Sequence, residues 1–141
     1  MWWAASILAL LLLLFLLLLD AHFFPLIENG AHIEAKKAFA NTTTEQFNVA
    51  LTLYKTEYGH FPATTDNAKI HLILDGKEVG GENLRGIQFM GFSKKEENSK
   101  GEICDPWKTP YRITYDDKGP LITSAGPDKI FGTKDDITNR D

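Results

Sequence analysis

Three aspartates lie within nine residues near the end of this 141-residue chain: Asp128, Asp135 and Asp136. Gly126 and Gly132 permit sharp bends that would turn these carboxylates and nearby carbonyls towards one point. Calcium binds about six to eight such oxygens, so this composition indicates a cation-binding loop that differs from the EF-hand pattern. The alternative is a solvated acidic loop whose charge is balanced locally by Lys129 or Lys134.

The other reactive side chains form no catalytic pattern. Four histidines are not paired with another His, Cys or carboxylate at metalloprotease spacing: His22, His32, His60 and His71. The chain lacks a G-x-S-x-G nucleophile motif and a phosphate-binding glycine loop. The single cysteine, Cys104, excludes an internal disulfide and is typical of a small buried side chain. We therefore expect a protein that is not an enzyme and has no small-molecule substrate.

The charged residues are confined to one part of the chain. It carries 19 acidic and 15 basic residues for a net charge of −4, and none of them precedes Asp20. The acidic balance and the absence of a basic cluster argue against nucleic-acid binding.

The uncharged segment at the start is long enough to span a bilayer. As a helix, residues 2–19 would be about 27 Å long. Ten leucines between Leu8 and Leu19 favour insertion by roughly 3–6 kcal/mol. The rival interpretation, a cleaved secretory signal, lacks its basic start and its small-x-small cleavage site. The sequence therefore predicts a transmembrane anchor over residues 1–20.

A helical pattern continues after the anchor, over residues 21–59. Aromatic and apolar residues fall at helical spacing on one face: Phe39, Phe47, Ala50, Leu51, Tyr54 and Tyr58. Gly59 provides a stop, with Pro62 shortly after it. Together with the anchor, this predicts a helix of about 55 residues, on the order of 80 Å long.

Residues 60–141 are predicted to form a globular α+β head that covers this helix. Residues 64–66 can cap a short helix that runs to Leu74 and that Gly76 ends. A short strand is expected over residues 86–92, and residues 111–115 and 121–124 predict a hairpin joined by a loop over residues 116–120. A helix packed on a two- or three-stranded antiparallel sheet follows. Residues 104–111 contain two prolines and predict a rigid corner.

Three segments taken together resemble the type IV pilin-like proteins, above all the major pseudopilins (G-type subunits) of type II secretion systems. The first is the end of the long helix, LYKTEYGHFP over residues 53–62. The second is DPWKTPY over residues 105–111, and the third is SAGPD over residues 124–128 followed by GTKDDI over residues 132–137. The pairing of the second segment with the third is the more specific feature.

The resemblance implies a structural subunit with a long N-terminal helix packed on a small antiparallel sheet. Such subunits are anchored in the cytoplasmic membrane as single-pass proteins, with the head on the periplasmic side. They associate with copies of themselves and with other pseudopilins through this helix and form a short filament for protein secretion. The resemblance also implies that Ca²⁺ is bound by Asp128, Asp135 and Asp136, with the main-chain carbonyls of Ala125 and Ile130 contributing.

The chain departs from that family at two places. Family leaders are basic and end in a glycine followed by a segment such as Phe-Thr-Leu-Ile-Glu, whereas this sequence begins MWWA and has no glutamate before Asp20. Lys129 stands where a glycine or a small polar residue is expected. Two expectations therefore stay open: either the true start includes a leader upstream and the protein polymerises, or the protein is a membrane-tethered pilin-like binding module that does not.

Overall fold

A single long helix begins the structure. The computed structural model describes the backbone of residues 2–140 and the side chains of residues 30–140. Helix α1 spans Trp2–Tyr58, 57 residues, close to the length expected from the sequence. The predicted anchor, residues 1–20, lies outside the residues whose side chains are described. Within the described part, no helix is both long enough and apolar enough to cross a membrane.

The chain divides into two compact units, Met1–Ala35 and Lys36–Asp141. The first consists of the earlier part of α1. The second contains the rest of α1 and all other elements, so residues 36–58 of this helix belong to the same unit as the head.

The buried stripe of α1 differs from the predicted one at its start. Phe39 is half exposed, and the prediction that it faces the core is wrong. The stripe starts instead at Ala40, which is fully buried. Successive side chains of a helix point about 100° apart around its axis, so Ala40 faces the core although Phe39 does not. From there the buried positions recur every three or four residues: Ala40, Thr43, Thr44, Phe47, Ala50, Leu51 and Tyr54.

Glycines end both helices as the sequence indicates. Gly59 has φ +82° and donates its amide to the Lys55 carbonyl at 2.7 Å, which closes the last turn of α1. Helix α2 spans Asn67–Leu74, and the Asp66 side chain caps it by accepting from the Lys69 amide at 3.2 Å. Gly76, with φ +90°, follows its end. The predicted short helix is confirmed.

Three antiparallel strands in the order β1-β2-β3 form the sheet: β1 (Arg112–Asp116), β2 (Gly119–Ser124) and β3 (Ile137–Thr138). Ile113 and Ile122 pair across the first ladder and both are buried. They join one apolar core with residues of α1 and α2, including Phe47 and Ile70. The predicted α+β arrangement, a long helix packed on a small antiparallel sheet, is confirmed.

The hairpin turn is shorter than the predicted loop over residues 116–120. Asp116 pairs with Gly119, so the turn consists of Asp117 and Lys118 and the strand includes Pro120. Proline lacks the amide that a ladder requires, which is why the sequence pattern excludes it from the strand. In the fold, the Arg140 guanidinium donates hydrogen bonds of 2.7 and 2.8 Å to the Asp116 carboxylate at the start of the turn. These bonds lower the pKa of the Asp116 carboxyl to about 2.

Residues 86–92 do not form the predicted strand. The amides of Phe89 and Met90 donate to the Leu74 carbonyl at the end of α2, at 2.8 and 3.1 Å. The amide of Ile87 donates to the side chain of buried Asn83 at 3.0 Å. Because these donors are satisfied by a helix end and a side chain, the segment needs no neighbouring strand.

Candidate functional site

The acidic loop joins two strands whose pairing closes its base. Strand β2 ends at Ser124, β3 begins at Ile137, and these two residues are paired in the antiparallel ladder. The loop over residues 125–136 therefore starts and ends at one place in the sheet. This pairing brings Ala125 and Asp136, which are eleven positions apart, to adjacent positions at the mouth of the loop.

The two arms of the loop meet at Gly126. Its φ of +66° lies in the left-handed region that side chains disfavour. A Cβ atom built there would lie 2.1 Å from the main-chain oxygen of Asp135, far inside van der Waals contact. The close approach of the arms therefore requires glycine, as the sequence indicated for the sharp bends.

The carboxylates accept hydrogen bonds from within the loop. Asp128 accepts from the Ile130 amide at 2.8 Å, and Asp135 accepts from the Asp128 amide at 3.0 Å. The Thr133 hydroxyl donates to Asp135 at 2.6 Å and, with the Asp128 amide, lowers the pKa of the Asp135 carboxyl. Asp136 accepts from the Gly132 amide at 2.7 Å through Oδ2. These bonds fix the orientation of the three carboxylates inside a small loop.

One carboxylate oxygen has no hydrogen-bond partner. Oδ1 of Asp136 is buried and unpaired. A buried anionic oxygen without a donor is costly, and a cation would satisfy it. Every candidate ligand on this loop is an oxygen, which is the donor type that calcium prefers. The chemistry of the residues present therefore fits calcium.

The structure does not gather the side chains into a complete cage. Over residues 30–140, no three His, Cys, Asp or Glu side chains lie close enough together to hold a metal ion. Main-chain oxygens would have to supply the remaining ligands at Ala125, which is buried, and at Ile130, whose carbonyl oxygen lies 3.2 Å from Oγ1 of Thr133. The predicted ligand set of Asp128, Asp135, Asp136, Ala125 and Ile130 stays a prediction.

Lys129 adopts an unusual backbone conformation. Its φ of +62° places a lysine in the left-handed region, and its amide donates to the Gly126 carbonyl at 3.2 Å. This conformation explains why a glycine suits the position better than lysine does. Phe131, two residues further on, packs under the Arg112 guanidinium of β1 at 3.8 Å from its ring centre. This contact between loop and sheet has no signal in the sequence, because the two residues are distant along the chain.

A second surface lies on the exposed flank of α1. Phe39, Val49 and Leu53 are each about half exposed, at 49%, 55% and 50%, and we call them the apolar flank. Their spacing of ten and four residues places them on one side of a helix. Beside them is a groove of about 430 Å³, between α1 and the irregular segment that follows α2. Its lining includes Thr42, Gln46, Val49, Phe89, Met90 and Gly91.

Comparison with known proteins identifies the fold. No family model and no curated protein matches the chain. Among solved structures, the chain is similar to the major pseudopilin from the type 2 secretion system of enterohaemorrhagic Escherichia coli, with a TM-score of 0.51. The match has 22% sequence identity and covers 78% of this chain and 90% of the other. The chain therefore has a pilin-like, pseudopilin-type fold, as the sequence resemblance predicted.

Proposed function

From a pseudopilin-type fold as the premise, we propose that this protein is a structural, non-enzymatic filament subunit. Residues 1–20 anchor it in the cytoplasmic membrane, the head lies on the periplasmic side, and α1 associates with further copies and with other pseudopilins in a type II secretion or related assembly. The observation that carries the proposal is the likeness to a solved major pseudopilin over most of both chains. Calcium bound by the acidic loop stabilises the head.

The apolar flank supports association through α1. Val49 and Leu53 lie one helical turn apart and form a contiguous exposed apolar patch, and such patches mark contact surfaces. Glu45 and Gln46 lie on α1 between Phe39 and the other two members, so the surface is partly polar and the subunit can stay dispersed before assembly. The flank therefore offers a surface for the neighbouring subunit in a filament.

Cross-linking tests assembly in membranes of the producing cell. Formaldehyde, which links several side chains of each subunit, should give a ladder of multimers from the wild-type chain. Adding Leu53→Lys should reduce the ladder to monomer, because a charge desolvated in the contact is costly. Adding Asn41→Lys, at an exposed position about 120° around the helix from Leu53, should leave the ladder intact.

A different outcome supports the alternative function, a membrane-tethered pilin-like binding module that does not polymerise. The observation that favours it is that residues 2–19 carry no charged side chain, so this segment offers no ion pair to the helix of a neighbouring subunit. Only monomers from the wild-type chain would reject the filament and favour the tether.

Calcium should raise the thermal stability of the full chain in detergent. A cation that binds only the folded loop stabilises by about 2.7 kcal/mol at a hundredfold excess over its Kd. For a domain of this size that is on the order of 10 °C in Tm, measured by circular dichroism with CaCl₂ against EGTA. Asp136→Ala removes the unpaired buried oxygen and should abolish the shift, whereas Asp117→Ala, in the exposed hairpin turn, should retain it. An unchanged Tm for the wild type would reject the calcium site and leave the filament proposal standing.

A further inference from the structure

A buried carboxylate lies outside the acidic loop, at the corner between Cys104 and β1. Asp105 is 2% exposed. Its Oδ1 accepts from the amides of Trp107 and Thr109 at 3.0 and 2.9 Å, and the Lys108 amide donates to its carbonyl at 2.9 Å. These bonds confirm the predicted turn and hold the carboxylate in one orientation.

The other oxygen of this carboxylate is directed to the end of β2. Oδ2 of Asp105 accepts from the Ser124 hydroxyl at 2.7 Å, and both side chains are buried. The Ser124 hydroxyl has only one proton, so this bond leaves its lone pairs for a donor from elsewhere. The Gly126 amide is that donor, at 3.1 Å. A chain of two buried hydrogen bonds therefore runs from the corner into the acidic loop.

The chain of bonds ends at the place where the loop is most constrained. Gly126 is the residue that lies against the Asp135 main chain, and its carbonyl accepts from the Lys129 amide. Ala125, whose carbonyl is a candidate ligand, lies between Ser124 and Gly126. Loss of the Ser124 hydroxyl would free the peptide that carries this carbonyl and leave both Asp105 Oδ2 and the Gly126 amide unpaired in a buried site.

We propose that Asp105 and Ser124 are positioning residues for calcium: through the Gly126 amide they hold the Ala125–Gly126 peptide and the crossing of the two arms in the geometry that binds the cation. Neither side chain contacts the ion. The inference rests on the calcium binding proposed above and extends it to two residues of the core. It makes cation affinity depend on the corner at residues 104–111.

Calorimetric titration of the detergent-solubilised full chain with CaCl₂ tests this proposal. Ser124→Ala and Asp105→Asn should each raise the Kd for calcium about tenfold, as loss of an outer hydrogen bond to a metal site commonly does. The titration is run at a temperature at which circular dichroism shows every variant to be folded. Amide exchange measured by NMR in EGTA should be faster at Gly126 in Ser124→Ala than in the wild type.

The matched control is Asn83→Ala. Asn83 is equally buried and its side chain makes four hydrogen bonds, but to Tyr58, Ile73 and Ile87 rather than to the acidic loop. It should lower Tm and leave the Kd for calcium unchanged. A Kd within about twofold of wild type in Ser124→Ala and Asp105→Asn would show that the bonds are only structural and overturn the inference. No binding by the wild type would reject the calcium site itself, and the inference with it.

Discussion

Replacing Phe47 by alanine should destabilise the head by about 3–5 kcal/mol, the usual cost of deleting a fully buried aromatic ring. Phe47 has no exposed surface, and its ring lies 5.4 Å from that of Phe92 and 5.7 Å from that of Tyr111. It therefore connects α1 to the irregular segment and to the start of the sheet. The free energy of unfolding is measured by urea titration of the full chain in detergent.

Phe39→Ala is the matched control on the same helix. Phe39 is 49% exposed, so its removal should change the free energy of unfolding by less than about 0.5 kcal/mol. An equal loss of stability for the two variants would contradict the assignment of the buried stripe. Because Phe39 belongs to the apolar flank, the same variant should weaken assembly without weakening the fold. It thus separates the two roles of α1.

Replacing Gly126 by alanine should cost about 2–5 kcal/mol of unfolding free energy, measured in the same way. The left-handed conformation at φ +66° accounts for about 1–2 kcal/mol, and displacement of the Asp135 carbonyl from the new Cβ adds about 1–3 kcal/mol. The neighbour is main chain, so it cannot move aside by a simple rotation. The displaced arm carries Asp135 and Asp136, and the calcium-dependent rise in Tm should disappear as well.

Gly132→Ala separates the two contributions. Gly132 has φ +92°, and no atom lies within 4 Å of a Cβ built there. It should therefore lose only the backbone contribution, about 1–2 kcal/mol, and keep its response to calcium. If both variants cost the same and both still respond to calcium, the contact between Gly126 and Asp135 does not determine loop closure.

The two proposed properties are located in different parts of the unit Lys36–Asp141. Association would use the exposed flank of α1, whereas the acidic loop follows the end of β2 and is connected by hydrogen bonds to the corner at residues 104–111. The loop is joined to the core through the Asp105–Ser124 hydrogen bond and through the packing of Phe131 on Arg112. Calcium would therefore act on the stability of the head rather than directly on the contact surface of α1.

Local chemistry determined much of the fold from the sequence alone. The ends of α1 and α2, at Gly59 and Gly76, and the cap at Asp66 depend on the backbone preferences of single residues. The alternation of the hairpin strands likewise depends on neighbours along the chain. These features follow from steric limits and hydrogen bonds that a residue forms within a few positions, so the sequence pattern predicts them.

Only the tertiary structure decided which partners distant groups found. The amides of Phe89 and Met90 could have donated to a neighbouring strand or to the end of α2. In the fold they donate to the Leu74 carbonyl at the end of α2. Asp105 and Ser124 are 19 positions apart, and no local pattern assigns one to the other. The sequence located the aspartates of the loop, but their geometry depends on the meeting of two chain segments at Gly126. Partners of this kind are brought together only when the core packs. Their proximity in space therefore cannot be inferred from their positions along the chain.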